Sequence, residues 1–328
     1  MFAAVYDRTG PAAEVLRIEE IATPTPGPGE VRVELHWSGV NPSDVKSRAG
    51  LRTKTLPFPR IVPHSDGAGI IDKVGEGVAP GRVGERVWIW NAAWGRASGT
   101  AAQYVVLPAE QAVRLPDRVD LAAGACLGIP ALTAWYALVV DGGTAGKSVL
   151  IAGGAGAVGH YAIQLAKLMG AARVFSTVSG IEKAELALAA GADEVINYRR
   201  ENVAARISEA TKGAGIDRIV EVDMAANAAL DLEVMRQGGD IIVYGSGTSD
   251  VALSFSAGIR KHARVRFILV YTMPSAERRQ ALEQLTRLLE PNRLIHNIAA
   301  RMPLTHVAAA HELVESGRAA GNVILEIE

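Results

Sequence analysis

Cysteine is nearly absent from this sequence, in which Cys126 is the only one among 328 residues. One thiol cannot form an intramolecular disulfide, and it cannot supply the cluster of thiolates that holds a structural zinc ion. Scarce cysteine is usual in reducing compartments, and the first residues, Met1 to Asp7, resemble a strand rather than a signal peptide. We therefore expect a cytoplasmic protein without a disulfide framework.

Excess charge of either sign is missing as well. The chain has 34 Lys and Arg against 35 Asp and Glu, a formal net charge of −1. Without a basic surplus, little is available to hold a nucleic-acid backbone or an anionic membrane, so neither is an expected partner. The uncharged stretch from Leu121 to Val140 contains Gly124, Gly128 and Pro130, which favours two short buried helical pieces over a membrane span.

The length of the chain exceeds what one core usually holds, so two domains are expected. The first third has short alternating runs, in which Val31, Val33 and Leu35 face one way and polar or charged residues the other. Turns rich in Gly and Pro separate these runs. This pattern is typical of a small β-barrel-type domain.

From about residue 122, strands and helices alternate, which indicates βαβ units and a parallel, doubly wound sheet. The predicted strands are Ser148–Ala152, Arg173–Val178, Glu194–Ile196, Ile216–Val222, Asp240–Tyr244 and Arg264–Val270, and the predicted helices are Gly156–Met169, Ile181–Ala190, Glu201–Thr211 and Asn227–Met235.

The closing segments do not continue this series: they are helices at Ala276–Leu289 and Leu304–Glu315 and a strand at Asn322–Ile327. We therefore assign residues 1–122 and 272–328 to the first domain and residues 123–271 to an inserted dinucleotide-binding domain.

A glycine-rich turn follows the apolar strand that ends at Ala152, and it opens the next helix. The turn consists of Gly154, Ala155, Gly156, Ala157, Val158 and Gly159. In such a turn the first glycine permits the bend, the second lets the backbone approach a pyrophosphate, and the third lets the helix lie close to the sheet. Backbone N–H groups and the helix dipole then face the phosphates. The alternative is a glycine-rich turn that binds no ligand.

The end of the second strand distinguishes NAD from NADP. An NAD site usually carries Asp or Glu there to hold the ribose 2′-hydroxyl, but this sequence has Ser179. Ser179 can donate to a 2′-phosphate, Lys183 can reach it, and Tyr198 with Arg199 follows the third strand. The alternative is that these cations are only solvated. The missing carboxylate favours NADPH.

Taken together, the motifs resemble the zinc-independent branch of the medium-chain dehydrogenase/reductase superfamily, in particular the ζ-crystallin-like quinone oxidoreductases. Besides the glycine turn, the matching segments are Gly39 to Asp44, Pro63 to Gly69, Val83 to Val87, Gly128 to Trp135 and Gly191 to Tyr198. The resemblance implies a Rossmann domain inserted in a GroES-like domain, with the active site in the cleft between them. It also implies a homodimer, or a tetramer, that pairs Rossmann edge strands such as Arg264–Val270.

Zinc-dependent relatives hold their catalytic zinc with Cys, His and Cys. At these positions the resemblance places Asn41, His64 and Ile129, and Cys126 is out of register. A single histidine cannot make the three-ligand catalytic site of zinc. We therefore expect no metal.

The chemistry expected without zinc is direct hydride transfer to an electrophile whose product anion needs only hydrogen-bond donors. Asn41 is the candidate donor beside the nicotinamide, although Asn before proline is also a common turn residue. Water is the first candidate for the proton donor, followed by Asp44, His64 and Asp66. The candidate catalytic residues are therefore Asn41, His64 and Asp44.

Further cofactor contacts follow from the resemblance alone. Candidates are Thr133 for the nicotinamide carboxamide, Gly245 and Ser246 after the fifth strand, Leu269 and Tyr271 near the nicotinamide, and Arg318 and Asn322 near the C-terminus. Asn41, Trp90 and Trp94 are candidates for the substrate pocket, although aromatic residues more often belong to a core.

Three functions remain open. An NADPH:quinone reductase is the leading one, and a reductase of α,β-unsaturated carbonyl compounds (enones and alkenals) needs the same fold and cofactor. A non-catalytic crystallin-like or RNA-binding protein is the third. The near-neutral charge and the lack of a basic or aromatic stripe oppose RNA binding.

Overall fold

The computed structural model describes residues 1–52 and 54–328. Two compact units are present, the first formed by Met1–Pro130 with Leu282–Glu328 and the second by Ala131–Ala281. The chain leaves the first unit once and returns to it, so the second unit is an insertion.

The strands are short, as expected for buried or half-buried runs of alternating or continuous apolar residues. They are β1 (Phe2–Val5), β2 (Arg17–Glu20), β3 (Glu30–Val40), β4 (Asp66–Val74), β5 (Arg86–Ile89), β6 (Tyr104–Pro108), β7 (Ala112–Arg114), β8 (Ser148–Ala152), β9 (Arg173–Val178), β10 (Glu194–Asn197), β11 (Ile216–Glu221), β12 (Met235–Val243), β13 (Arg264–Phe267), β14 (Ile298–Pro303) and β15 (Asn322–Glu326).

The helices mostly bury one face. They are α1 (Ala12–Val15), α2 (Pro42–Arg48), α3 (Leu121–Gly124), α4 (Leu132–Val139), α5 (Ala157–Leu168), α6 (Ile181–Ala189), α7 (Val203–Ala210), α8 (Met224–Val234), α9 (Phe255–Lys261), α10 (Ser275–Leu289) and α11 (Val307–Glu315).

The first unit is built on a seven-stranded sheet with the order β14-β15-β3-β4-β5-β7, in which β6 also pairs with β3. All its pairings are antiparallel except that of β14 with β15. Val31, Val33 and Leu35 of β3 are buried in the core of this unit, as their alternation predicts. Strands β1 and β2 form a separate two-stranded ribbon. The predicted GroES-like β domain is confirmed.

The second unit contains a six-stranded sheet with the order β10-β9-β8-β11-β12-β13, and every pairing in it is parallel. Strand order reverses between β8 and β11, and such a switch point is where doubly wound sheets bind ligands. The predicted Rossmann sheet is confirmed.

The uncharged stretch from Leu121 to Val140 is divided among α3, a π-helical turn over Leu127–Ala131 that contains Pro130, and α4. Within the residues that the structure describes, no helix has the length and apolar content required to cross a membrane.

Candidate functional site

The glycine turn lies between the end of β8 and the start of α5, at the switch point of the Rossmann sheet. Gly153, just before the motif, has φ +70°, the left-handed conformation that favours glycine. A Cβ on Gly154 would overlap Ser176 Oγ, and one on Gly159 would overlap the carbonyl oxygen of Gly153. The bend itself therefore belongs to Gly153, whereas Gly154 and Gly159 allow close packing within the protein.

Gly156 differs from Gly154 and Gly159 because a Cβ there would not overlap another residue. A Cβ there would meet only the carbonyl oxygen of Gly153, at 3.2 Å. Gly156 is also the N-cap of α5, so the N–H groups that follow it in the first helical turn have no partner within the helix. Ala157 and Val158 form that turn. This bare backbone at a helix N-terminus is a cradle that suits a pyrophosphate.

The neighbouring strand anchors the turn. The N–H of Gly154 donates to the carbonyl oxygen of Thr177 at 3.2 Å, and that of Gly153 donates to Thr177 Oγ1 at 3.3 Å. These bonds fix the turn to the carboxyl end of β9, immediately before Ser179.

Ser179 and Tyr198 are brought together by backbone pairing. β9 ends at Val178, and the N–H of Tyr198 donates to the Val178 carbonyl oxygen at 3.1 Å. Ser179 is half-buried and the Tyr198 ring is 52% exposed. In the described chain, neither Lys183 in the first turn of α6 nor the nearby Arg199 forms an ion pair. Two cations without counterions beside a hydroxyl can accommodate a phosphate.

The loops that follow β11 and β12 complete this edge of the sheet. Gly245 lies against Val222, where a Cβ would overlap the Val222 carbonyl oxygen. The N–H of Gly247 donates to Asp223 Oδ1 at 2.7 Å, which places Ser246 between two constrained residues. Elsewhere in this unit, Thr133 on α4 and Tyr271 are buried, whereas Leu269 is partly exposed.

A buried pair of carboxyl groups supports these loops. Glu221 at the end of β11 accepts hydrogen bonds at Oε1 from the Asp223 N–H and from Asn227 Nδ2, the latter at 2.9 Å. Asp231 of α8 lies beside Glu221, and burial, followed by that charge, raises the pKa of Asp231 to about 9. Burial also raises the pKa of Glu221. Asp231 is therefore protonated at neutral pH and can share its proton with Glu221.

In the first unit, Asn41 precedes α2 as its N-cap, and Pro42 begins the helix. The backbone N–H of Asn41 donates to Asp44 Oδ2 at 2.9 Å, and its side-chain Nδ2 donates to Asp66 Oδ2 at 2.7 Å. All three residues are buried. Burial raises the pKa of Asp44 to about 7, against the opposing effects of hydrogen bonds from Asn41 and the charge of Arg52. The structure thus brings Asn41, Asp44 and Asp66 into one polar cluster.

His64 lies in a chain of buried hydrogen bonds. Thr100 Oγ1 donates to the Asp66 carbonyl oxygen, Ser38 Oγ lies 2.8 Å from Thr100 Oγ1, and His64 Nδ1 lies 2.8 Å from Ser38 Oγ. His64 Nε2 lies 2.9 Å from Nε2 of His311 on α11.

The carbonyl at the end of this chain fixes every proton in it, because a carbonyl can only accept. The Thr100 hydroxyl donates its one hydrogen to the carbonyl, so Ser38 must donate to Thr100. His64 Nδ1–H must then donate to Ser38. His64 Nε2 then accepts from His311 Nε2–H. Both rings are neutral: burial lowers the pKa of His64 well below its usual value, and burial together with Arg48 lowers that of His311 to about 3.

Both ring nitrogens of His64 are therefore occupied by protein groups, and the side chain has no nitrogen left for a ligand. Across residues 1–52 and 54–328, no group of three or more His, Cys, Asp and Glu is arranged to hold a metal ion. Cys126 is buried, and burial raises its pKa.

The remaining predicted residues are dispersed in the first unit. Trp90 is buried, whereas Trp94 is 43% exposed. Arg318 is exposed, and Asn322 is buried with its Nδ2 donating to the Asn297 carbonyl oxygen at 2.9 Å.

Sequence reasoning missed Gly153, His311 and the pair of Glu221 and Asp231. The Gly-Gly pair at 153–154 was a local signal for the first. No motif marks the others, because their partners come from distant elements: His64 and His311 are 247 positions apart.

Two family models match the chain. The alcohol dehydrogenase GroES-like domain matches residues 27–117, and the zinc-binding dehydrogenase family matches residues 157–287. Among curated proteins, the human quinone oxidoreductase is 32% identical over 327 residues, covering 98% of this chain and 96% of its own length. A 2-haloacrylate reductase from a Burkholderia species is 30% identical over 336 residues, covering 99% of this chain and 98% of its own length.

Among solved structures, the Escherichia coli quinone oxidoreductase complexed with NADPH superposes with a TM-score of 0.88. It is 26% identical, and the match covers 99% of this chain and all of that one.

Proposed function

Because the chain belongs to the zinc-independent quinone oxidoreductases of the medium-chain dehydrogenase/reductase superfamily, we propose that it reduces quinones with hydride from NADPH. The observation that carries this proposal is the open glycine cradle at Gly156, whose neighbouring strand ends in Ser179 rather than a carboxylate. The name of the human relative and the NADPH in the E. coli structure support it.

The nucleotide unit supplies the groups that would hold the cofactor. The backbone N–H groups between Gly154 and Gly159 would donate hydrogen bonds to the pyrophosphate at the N-terminus of α5. Ser179 donates to the 2′-phosphate, and Lys183, Tyr198 and Arg199 surround it with positive charge and a hydroxyl. Further contacts, also taken from the resemblance, are Thr133, Gly245, Ser246, Leu269, Tyr271, Arg318 and Asn322.

When bound, NADPH supplies the hydride. Asn41 donates from Nδ2 to the substrate oxygen on which negative charge develops, and this donor replaces the Lewis acid of zinc relatives. Asp44 lies next to Asn41 and has a pKa near 7, which suits a group that delivers a proton at neutral pH. His64 supports Asp66 from within the core, because its hydrogen-bond chain ends on the Asp66 carbonyl. Trp94 provides an exposed aromatic surface for a planar substrate, whereas Trp90 is buried.

A second candidate is an enone or alkenal reductase. The similarity to a 2-haloacrylate reductase favours it, because a 2-haloacrylate is an activated alkene. Both reactions require the same cofactor and a donor at the developing anion, so the two differ only in the electrophile.

Substrate comparison separates the two candidates. The rate of NADPH oxidation is measured with 1,4-benzoquinone, an ortho-quinone, a short alkenal and 2-chloroacrylate. We expect kcat/KM for a quinone to exceed that for either alkene by tenfold or more. Fast turnover of an alkene without turnover of any quinone would favour the enone or alkenal reductase over the quinone reductase. NADPH binding without turnover of any substrate would contradict both functions.

We also propose that the protein forms a homodimer through β13. Among the described strands β13 pairs with β12 alone, so its other edge is open. Phe267 on β13 is 61% exposed, and Phe255 and Ile259 of α9 are 81% and 59% exposed. An open edge beside exposed apolar groups is a template for pairing with a strand of another chain. A second copy would extend the sheet across a twofold axis.

A further inference from the structure

The carboxyl group of Asp66 is the most tightly enclosed polar group in the Asn41 cluster. Asp66 is fully buried at the first position of β4, and its Oδ2 lies 2.7 Å from Asn41 Nδ2. Burial raises the pKa of this carboxyl group well above its usual value, and the backbone of Ile129 and the Asn41 amide oppose that shift. A buried carboxyl group is costly, so its retention here requires a reason.

Two glycines make room for this group. A Cβ on Gly128 would overlap Asp66 Oδ1 and approach the Ile89 carbonyl oxygen to 2.6 Å. A Cβ on Gly39 would lie 3.1 Å from Asp66 Cβ and would overlap the Ala125 carbonyl oxygen. The main chain of Asp66 is held as well, through the hydroxyl of Thr100. The carboxyl group therefore has a single position, defined from several directions.

This position determines how the Asn41 amide is turned. An amide presents a donor at Nδ2 and an acceptor at Oδ1, and the two ends can exchange by rotation about χ2. Asp66 Oδ2 accepts from Nδ2 of the amide, whereas Asp44 Oδ2 accepts from the backbone N–H of Asn41 and so holds the main chain at the start of the helix. A flipped amide would turn Oδ1 toward Asp66 and would lose the 2.7 Å hydrogen bond that Nδ2 donates to Asp66 Oδ2. Nδ2 is thus the end that is held in place.

We propose that Asp66 is the positioning residue for Asn41. One Nδ2 hydrogen of Asn41 bonds to Asp66, and this bond holds the amide so that its other Nδ2 hydrogen is presented to the substrate oxygen. This inference rests on the proposed role of Asn41 in reduction. Asp66 itself is expected to touch neither substrate nor cofactor. Its contribution is a fixed donor orientation, which is required before a hydrogen bond can stabilise a developing anion.

Two substitutions of Asp66 separate orientation from structure. Asp66→Asn keeps an oxygen that can accept from Asn41, whereas Asp66→Leu has nearly the same shape but no acceptor. We expect quinone kcat to remain within about threefold of wild type in Asp66→Asn and to fall about 10- to 100-fold in Asp66→Leu, with less change in KM. If Asp66→Leu does not fold, Asp66→Ala takes its place.

The decisive arm is a double-mutant cycle with Asn41→Ala. If Asp66 acts through Asn41, Asp66→Leu combined with Asn41→Ala loses no more activity than Asn41→Ala alone, while the thermal midpoint of each single variant stays close to wild type. Losses that multiply, or an Asp66→Asn variant as impaired as Asp66→Leu, would overturn the inference.

A spectroscopic readout keeps this inference distinguishable from the proposed function. In wild type, one side-chain Nδ2 proton of Asn41 should resonate downfield because it is bonded to Asp66, and the shift should persist in Asp66→Asn and vanish in Asp66→Leu. If Asn41→Ala leaves quinone turnover unchanged, the proposed role of Asn41 fails even where this signature is found. Absence of the signature in wild type would overturn the orientation itself.

Discussion

Gly156 and Gly159 belong to the same turn, yet each lacks a side chain for a different physical reason. A Cβ on Gly159 would overlap the backbone of Gly153, whereas a Cβ on Gly156 would meet protein only at 3.2 Å. We expect Gly159→Ala to lower the thermal midpoint markedly because backbone atoms must move. Gly156→Ala should leave the midpoint within about 2 °C of wild type but weaken NADPH binding tenfold or more.

Thermal unfolding and a fluorescence titration with NADPH measure the two effects separately. NADPH binding by Gly156→Ala as tight as in wild type, or an equal loss of stability in both variants, would contradict these two separate roles of the glycines.

The buried pair of His64 and His311 predicts sensitivity to acid. Both histidines have folded-state pKa values below their unfolded value of about 6.5, so the unfolded chain binds more protons as pH falls. Their stabilising contribution is present above pH 6.5 and is lost below it, by about 1.4 kcal/mol per pH unit for each ring.

His311→Gln tests this effect, because its amide N–H can still donate to His64 and does not titrate. The fall in thermal midpoint between pH 7.5 and pH 5 should be smaller in His311→Gln than in wild type. An unchanged difference would show that the pair does not resist protonation.

At the scale of elements, β11 and α8 are joined by two carboxyl groups, Glu221 and Asp231. The folded-state pKa of Asp231 is raised to about 9, so the folded protein retains a proton that the unfolded chain loses above about pH 4. Stability attributable to this group therefore falls as pH rises from about 4 to 9.

Asp231→Asn should remove that dependence, because the amide donates to Glu221 at every pH. We expect Asp231→Asn to gain thermal stability over wild type at pH 8.5 and to gain much less at pH 5. A variant that is less stable than wild type at both values would contradict a shared proton.

Elements whose pattern is local were predictable. The strands at Ser148–Ala152 and Arg173–Val178 have the predicted bounds, because fully buried parallel strands are short apolar runs that end at glycine or at a change of polarity. Six elements were missed: β2, β7, β14, α1, α2 and α9. β2 (Arg17–Glu20) is largely charged, and both it and β14 are defined by the strands that they pair with rather than by their own periodicity.

The site divides in the same way. The glycine turn could be located because its spacing is a local property of one strand and one helix. The bond between Asn41 and Asp66 spans 25 positions, and that between His64 and His311 spans 247, so neither contact is encoded in a motif. The sequence identified His64 as a candidate, but only its neighbours in the fold reveal that both its nitrogens are occupied.

At the scale of the whole molecule, the open edge of β13 predicts self-association. Phe267→Asp places a charge on the exposed edge and should convert a dimer into a monomer. Light scattering after size-exclusion chromatography measures the mass of each variant. Phe2→Asp is the matched control, because Phe2 is similarly exposed, at 52%, but lies on β1 in the other unit. Dissociation by both variants, or by neither, would contradict an interface at β13.

This chain uses NADPH to reduce a quinone, and Ser179 is the residue whose identity predicts that cofactor. The most direct measurement is the ratio of kcat/KM for NADPH to that for NADH, with saturating 1,4-benzoquinone, in wild type and in Ser179→Asp. We predict a wild-type ratio of tenfold or more that falls at least tenfold in the variant, because a carboxylate repels the 2′-phosphate and accepts from the ribose 2′-hydroxyl. Equal or better use of NADH by wild type, or no quinone-dependent oxidation of either cofactor, would contradict the claim.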